Sequence, residues 1–139
     1  MLLYTALMLT PESVKAILAV HPAKHPVVYA HHTTLVFQPG PAALGKFTPY
    51  IGRKIMFTAV GYAEDVRGQA LKVEVPDYLQ WESQLHHVTI SCAEGVRPVY
   101  GGELLKLGWA SEMPFKLEGY VEHFLQPDKK PKGVALAPR

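Results

Sequence analysis

One pattern occurs twice in the chain, as His31-His32-Thr33-Thr34-Leu35 and again as His86-His87-Val88-Thr89-Ile90. Both copies lie in runs rich in β-branched residues, which are typical of strands. Because every second side chain of a strand points to the same face, His32 shares a face with Thr34, and His87 with Thr89. Two such strands lying near each other would gather two imidazoles and two hydroxyls in one groove.

The first copy alone leaves the choice of residues open, because His31 with Thr33 also satisfies the His-x-Thr spacing. Alignment of the two copies favours His32 with Thr34, since the second copy has a valine at the position of Thr33. The leading histidines, His31 and His86, then point to the opposite side of their strands, where we expect packing or surface roles.

Two imidazoles and two hydroxyls suit the hydrolysis of a phosphodiester without a metal. A neutral imidazole can take a proton from an attacking water, and a protonated imidazole can deliver one to the leaving oxygen. Both forms are accessible near neutral pH, because the ordinary pKa of histidine is about 6.5. Threonine hydroxyls can donate hydrogen bonds to the phosphate oxygens, where negative charge grows in the transition state.

A metal site is the main chemical rival. Neighbouring histidines on a strand point to opposite faces, so each pair offers one ligand to any one site, and the threonines stay unexplained. The histidines available to such a site are His31, His32, His86, His87 and His123. We therefore expect no metal and no other cofactor.

Length and composition indicate one globular domain. The chain has 139 residues, of which 48% are hydrophobic and 19% charged, which is long enough and apolar enough to bury a core. A net charge of +2 excludes the strong positive field of a protein that coats DNA. The single cysteine, Cys92, excludes an internal disulfide and a cysteine-based zinc site. We expect a cytoplasmic monomer without a signal peptide or a membrane span.

Apolar periodicity predicts more strands than helices. We expect a helix that begins at Thr10-Pro11, a short helix at 103–107, a loop over 42–52, and strands at 2–9, 27–37, 55–64, 71–75, 85–92 and 115–121. This order predicts an α+β fold with a largely antiparallel sheet. Residues 1–126 form the expected domain, and 127–139, with three lysines, form an expected flexible basic tail.

Paired His-x-Thr strands resemble the two-histidine (2H) phosphoesterase superfamily, which includes RNA 2′,3′-cyclic phosphodiesterases. The stretch His87-Val88-Thr89-Ile90-Ser91-Cys92-Ala93-Glu94-Gly95-Val96-Arg97-Pro98-Val99 is similar to the 2′,3′-cyclic-nucleotide 3′-phosphodiesterase members, as is the Leu104-Leu105 pair that follows. The resemblance implies two lobes of antiparallel strands flanked by a few helices, with one histidine motif from each lobe lining a central cleft. The interval from His32 to His87 is shorter than in many members, which leaves the substrate class more open than the chemistry.

The resemblance also implies roles for the repeated residues. It makes His87 the group that activates water and His32 the group that protonates the leaving oxygen. Thr34 and Thr89 become the phosphate ligands. The expected substrate is a 2′,3′-cyclic phosphate on an RNA end or a nucleotide, opened to a phosphomonoester, with the 2′-phosphate as the favoured product.

Three residues near the motifs are candidates for substrate binding. Tyr100, beside two glycines, and Tyr50, in a Pro/Gly-rich stretch, can stack on a base or bond to a phosphate. Arg97 can attract a phosphate, although a solvated surface charge explains it as well. We expect core packing for the aromatic residues Tyr29, Phe37, Phe57 and Trp81.

Two alternative functions remain open from the sequence. A nuclease that cleaves cyclic oligonucleotide signals would use the same four residues and a groove shaped for a closed ring. A nucleotide- or RNA-binding module would keep the fold without turnover, but binding alone does not require two proton-transfer groups.

Overall fold

The computed structural model describes residues 2–82 and 85–125. These residues contain seven strands and three α-helices. The strands are β1 (Leu2–Leu9), β2 (Val27–Val28), β3 (His32–Phe37), β4 (Lys54–Glu64), β5 (Gly68–Glu74), β6 (His87–Cys92) and β7 (Ala110–Leu125). The helices are α1 (Pro11–Val20), α2 (Pro41–Phe47) and α3 (Tyr100–Leu107), with 3₁₀ turns at Thr48–Tyr50 and Asp77–Leu79. The expected basic tail at 127–139 lies outside the described residues. No helix in the described ranges has the length and apolarity to span a membrane.

The strands form one antiparallel sheet in the order β2-β6-β5-β4-β7-β1-β3. The sheet curls, so that Cα atoms of β3, at one end, come within 8 Å of Cα atoms of β6, near the other end. The expected α+β class with mostly antiparallel strands and a few helices is confirmed. The two lobes correspond to the two ends of this one curled sheet, which face each other.

The main hydrophobic core lies on one face of the sheet and is covered by α1 and α2. It draws buried side chains from most of the strands, among them Leu7, Phe57, Leu71, Val88 and Leu117. Leu71 belongs to this core, whereas its neighbour Ala70 packs with α3 on the other face, as expected for alternating side chains. His87 and Thr89 flank Val88, so they lie on the face that α3 covers.

Helix α1 begins where the sequence predicts. The hydroxyl of Thr10 accepts a hydrogen bond from the backbone N–H of Ser13 at 3.2 Å, and Pro11 occupies the first helical position. A proline is tolerated there because the first N–H groups of a helix have no intrahelical partner. The helix buries Ile17 in the main core.

Helix α2 replaces the loop that was expected over 42–52, so that expectation was wrong. Gly40 and Pro41 occupy the N-cap and the first helical position, an arrangement that favours a helix start. Ala43 and Phe47, four residues apart, are buried on one side of the helix, and their packing outweighs the low helix propensity of Gly45.

The strand expected over 27–37 is interrupted at Ala30, which has a φ of +52°. Tyr29 and Ala30 donate backbone hydrogen bonds to β6, at Ile90 and Thr89, both at 2.8 Å. The carbonyl of His31, one residue later, accepts from Leu9 of β1 at 2.9 Å. The chain therefore passes from one end of the sheet to the other within three residues, and β-propensity alone does not reveal this turn.

We predict that Ala30→Val destabilises the protein by about 2–4 kcal/mol. Valine is strongly disfavoured at positive φ, and its extra methyl groups have no space in a fully buried position. The matched control is Ala30→Gly, which adopts this φ without strain and should stay within about 1 kcal/mol of the wild type. Urea denaturation measures both, and equal stability of the two variants would contradict the assigned backbone conformation.

Candidate active site

One small pocket gathers all four residues that the repeat singled out. It is lined by His32 and Thr34 of β3, His87 and Thr89 of β6, and by Tyr29 and Pro98. His32 is 7% exposed and Thr89 6% exposed, whereas Thr34 and His87 are half-buried. The strands that carry the two motifs lie at opposite ends of the sheet, so the curl of the sheet creates this pocket.

The pocket itself is narrow. Its volume of about 10 Å³ is roughly what one water molecule requires. Any ligand larger than a water molecule must therefore sit at the mouth of the pocket, against the two imidazoles.

Helix α3 fits against His87 because its first turn contains two glycines. A Cβ atom on Gly101 would overlap the hydroxyl oxygen of Thr89 and lie 3.0 Å from Cδ2 of His87. A Cβ atom on Gly102 would lie 3.1 Å from Cε1 of His87. Side chains at these two positions would displace the imidazole. The two glycines therefore allow the first turn of α3 to lie close to β6.

The threonine of the second motif is held by the chain that leads into α3. The hydroxyl of Thr89 donates a hydrogen bond to the carbonyl oxygen of Pro98 at 2.7 Å. This bond fixes the position of the hydroxyl oxygen at the pocket wall. The proton can point toward a phosphate only after it rotates away from Pro98.

The leading histidine of each pair supports the site. Nδ1 of His31 lies 2.9 Å from Nδ1 of His32. His86 is buried, and its Nδ1 lies 3.3 Å from the carbonyl oxygen of Thr34, which joins the second motif to the strand of the first. Among the described residues, no three side chains of the kinds that bind metals are grouped closely enough to hold an ion.

Burial lowers the pKa of both central histidines. The pKa of His32 falls to about 3, chiefly because burial disfavours the charged ring and also because His31 and His87 are nearby. The pKa of His87 falls to about 4, again mainly through burial, with smaller effects of His86 and Lys106. Both rings are therefore neutral at pH 7. An anion placed between them would favour protonation and raise these pKa values.

Two lysines lie near the histidines of the second motif, Lys106 near His87 and Lys72 near His86. Lys106, exposed on α3, is close enough for its charge to lower the pKa of His87. Lys72 of β5 is the strand partner of His87, and its ammonium lies 5.0 Å from the centre of the Trp109 ring. Lys106 therefore adds positive potential beside His87.

The three expected substrate-binding residues do not line the pocket. Tyr100 is buried, its hydroxyl donates a hydrogen bond to the Asp65 carboxylate, and the guanidinium of Arg67 lies 4.5 Å from its ring centre. Tyr50 packs against Tyr78 at a ring distance of 5.0 Å. Arg97 is exposed and precedes the lining residue Pro98. A role for any of them in binding substrate stays a prediction.

Some residues of the site were missed or misinterpreted in the sequence. Tyr29, expected in the core, lines the pocket, and Phe37 is 42% exposed, whereas Phe57 is buried as expected. The close packing of Gly101 and Gly102 could have been predicted, because two adjacent glycines in a helical segment indicate a close contact with a neighbouring element. Pro98 gave no such signal, since its role depends on tertiary structure.

The sequence matches no protein-family model, and no curated protein matches it. The structure is similar to the crystal structure of a fungal RNA kinase, with a TM-score of 0.52 and 14% sequence identity. The match covers 92% of this chain and 43% of the kinase chain, so this chain spans less than half the length of that protein. At this level of identity the similarity establishes the fold alone.

We predict that Gly101→Ala destabilises the protein by about 1–3 kcal/mol and shifts the ring signals of His87 in NMR spectra, because the new methyl group meets Thr89 and His87. The matched control is Gly45→Ala in α2, where a Cβ atom meets nothing within 4 Å. That control should be neutral or stabilising by up to about 1 kcal/mol. Unchanged stability and His87 signals in Gly101→Ala would show that α3 does not pack closely on this ring.

We predict that stability falls as the pH is lowered from 6.5 toward 4. The unfolded chain takes up protons at an ordinary histidine pKa of about 6.5, whereas His87 and His32 resist protonation down to about 4 and about 3 in the fold. Each contributes a slope of up to about 1.4 kcal/mol per pH unit in this window, and none above it. Denaturation at several pH values should show a shallower slope for His32→Gln/His87→Gln, and an unchanged slope would contradict their burial as neutral rings.

Proposed function

We propose that this protein is a metal-independent phosphodiesterase that hydrolyses a 2′,3′-cyclic phosphate on an RNA end or a nucleotide. The observation that carries the proposal is the pocket in which both His-x-Thr motifs meet. Two imidazoles facing one site are needed for paired proton transfer, and a binding site for a phosphate alone does not need them. The fold similarity to a fungal RNA kinase supports a substrate derived from RNA.

The proposed reaction assigns one proton transfer to each histidine. His87 takes a proton from a water molecule whose oxygen forms the new bond to phosphorus. The bond from phosphorus to one ribose oxygen breaks, and His32 gives that oxygen a proton. Thr34 and Thr89 hold the phosphate oxygens as their charge grows. The phosphate anion itself favours a positive charge, and so an extra proton, on the His32 side of the pocket.

The shape of the site determines where the rest of the substrate lies. Because the pocket volume is about 10 Å³, only the phosphate contacts the four central residues. We place the nucleoside across the surface at the mouth, on the side of Lys106, whose charge acts on His87, and of Arg97, which precedes the lining residue Pro98. We therefore expect weak discrimination between bases, because the base lies outside the pocket, and Tyr29 is the one tyrosine among the described residues that line it.

We predict turnover of nucleoside 2′,3′-cyclic phosphates in the presence of EDTA. His32→Gln and His87→Gln should each lower kcat by about 100-fold or more, because each removes one proton-transfer group. Thr34→Val and Thr89→Val, which keep the side-chain shape, should lower kcat by about 10- to 100-fold. Phosphorus NMR follows the reaction with all four nucleosides and identifies the 2′- or 3′-phosphate product.

The control variant for this experiment is His123→Gln. His123 is a half-buried strand histidine whose Nδ1 lies 2.7 Å from the hydroxyl oxygen of Thr5. Thr5 lies between Tyr4 and Ala6 on β1, so it points away from the face on which Tyr4 contacts His32. We expect unchanged turnover in this variant. A wild type that hydrolyses neither nucleotides, nor RNA ends, nor cyclic oligonucleotides would contradict the proposal and favour a binding module.

A further inference from the structure

The rings of His31 and His32 meet edge to edge. Their Nδ1 atoms are 2.9 Å apart, their ring centres are 5.0 Å apart, and their planes differ by 14°. Rings stacked face to face at contact distance would have closer centres, so these values describe nearly coplanar rings joined through their Nδ1 atoms. This is the geometry of an N–H···N hydrogen bond.

Adjacent residues of a regular strand cannot make this contact, because their side chains point to opposite faces. Here β3 begins at His32, and the positive φ of Ala30 precedes His31. His31 therefore lies in the turn, where strand alternation does not apply. The turn that brings the sheet ends together also places the two imidazoles side by side.

One proton must lie between the two Nδ1 atoms, because two lone pairs at 2.9 Å would repel each other. The bond occupies Nδ1 of His32, so Nε2 is the nitrogen left for the pocket. Among the described residues, no carboxylate forms an ion pair with either ring. His31 thus takes the position at Nδ1 that a carboxylate or a backbone carbonyl often occupies beside an active-site histidine.

A buried, neutral His32 is a poor proton donor when it acts alone. If it gave up the proton on Nε2 without receiving another, it would become an imidazolate anion in a site that disfavours charge. A partner that delivers a proton to Nδ1 in the same step avoids this anion. Burial lowers the pKa of His31 as well, but His31 is half-buried, whereas His32 is 7% exposed, so burial opposes a positive charge less on His31 than on His32.

We infer that His31 and His32 form a proton-transfer dyad, in which His31 orients His32 and supplies the proton that His32 passes to the leaving oxygen. This inference rests on the proposed function and extends it, because it makes His31 a positioning residue of the reaction. It also gives a role to the leading histidine of the first motif, for which the sequence indicated only packing or surface exposure.

The proton transfers balance within the dyad. At the start, His31 carries protons on both nitrogens and His32 carries one on Nε2. The Nε2–H bond of His32 breaks as an O–H bond forms on the leaving oxygen, and the proton on Nδ1 of His31 moves to Nδ1 of His32. Both rings end neutral. To close the cycle, His87 releases to solvent the proton that it took from the attacking water, and Nε2 of His32 takes up one proton from solvent. The Nδ1 proton of His32 then returns to His31.

Other groups around the dyad are aromatic or imidazole rings. Tyr4 of β1 stacks on His32 at a centre distance of 5.4 Å, and Tyr29 meets His31 edge-on at 6.2 Å. His87 of β6 faces His32 across the pocket and disfavours its protonation. The titration of the dyad must therefore be interpreted together with that of His87.

NMR of the full chain labelled with ¹⁵N-histidine tests the hydrogen bond without any substrate. We expect a scalar coupling between Nδ1 of His31 and Nδ1 of His32, which is transmitted only through a shared proton. The coupling should disappear in His31→Phe and persist in His123→Gln. Its absence from the wild type between pH 5 and pH 8 would overturn the dyad, whether or not the protein hydrolyses cyclic phosphates.

Kinetics with a nucleoside 2′,3′-cyclic phosphate test the proton supply. We expect His31→Phe to lower kcat by about 10- to 100-fold with little change in KM, because the step lost is a proton transfer. His31→Asn, which can place an N–H near Nδ1 of His32 but cannot release the proton, should be equally slow. If either variant kept the wild-type kcat, the claim that His31 supplies the proton would be overturned.

The outcomes separate the two proposals. A wild type with the coupling but no turnover of any cyclic phosphate contradicts the proposed function and leaves the hydrogen-bonded pair established. Turnover that needs His32 and His87 but not His31 supports the proposed function and overturns the dyad. Circular dichroism of each variant distinguishes loss of activity from loss of the fold.

Discussion

The candidate site depends on the way the chain crosses from one end of the sheet to the other between Tyr29 and His31. The N–H groups of Tyr29 and Ala30 are bonded to β6, and the carbonyl of His31 is bonded to β1. One continuous strand cannot form hydrogen bonds with both ends of the sheet, so the backbone turns at Ala30, where φ is +52°. Ala30 is fully buried, and the packing around it holds a conformation that costs about 1–3 kcal/mol in a free chain. The same three residues bring the two histidine motifs into one pocket.

Burial gives the pocket its chemical character. A histidine at the surface is half protonated near pH 6.5, whereas His32 and His87, with their pKa values at about 3 and about 4, are neutral at pH 7. The desolvation that opposes a lone positive charge also strengthens the attraction between an imidazolium and an anion in the same place. In the proposed reaction, a phosphate and a proton would therefore favour each other's binding in this pocket.

The sequence was most informative where the chemistry follows local geometry. The two-residue period of a strand placed His32 and Thr34 on one face, and the second copy favoured this pair over His31 with Thr33. In the structure, His32 and Thr34 line the same pocket as His87 and Thr89. Prediction failed where tertiary contacts decide the structure. The buried side chain of Phe47 stabilises helix α2 although that helix contains Gly45. The turn at Ala30 contains no glycine, so the residue types do not indicate a positive φ there. Glycine tolerates positive φ so much better that an alanine in this conformation cannot be recognised from residue type alone.

The two copies of the motif are alike in sequence but differ in how their leading histidines act. His86 contacts the carbonyl oxygen of Thr34, on the opposite end of the sheet, at 3.3 Å. His31 instead contacts its own neighbour, His32, through Nδ1. The first contact sets the distance between the motifs, and the second sets the orientation of one imidazole. The site is therefore asymmetric, because one of the two central rings has an imidazole on its Nδ1. An acid that must receive a proton as it gives one away requires such a partner, and a base that only accepts a proton does not.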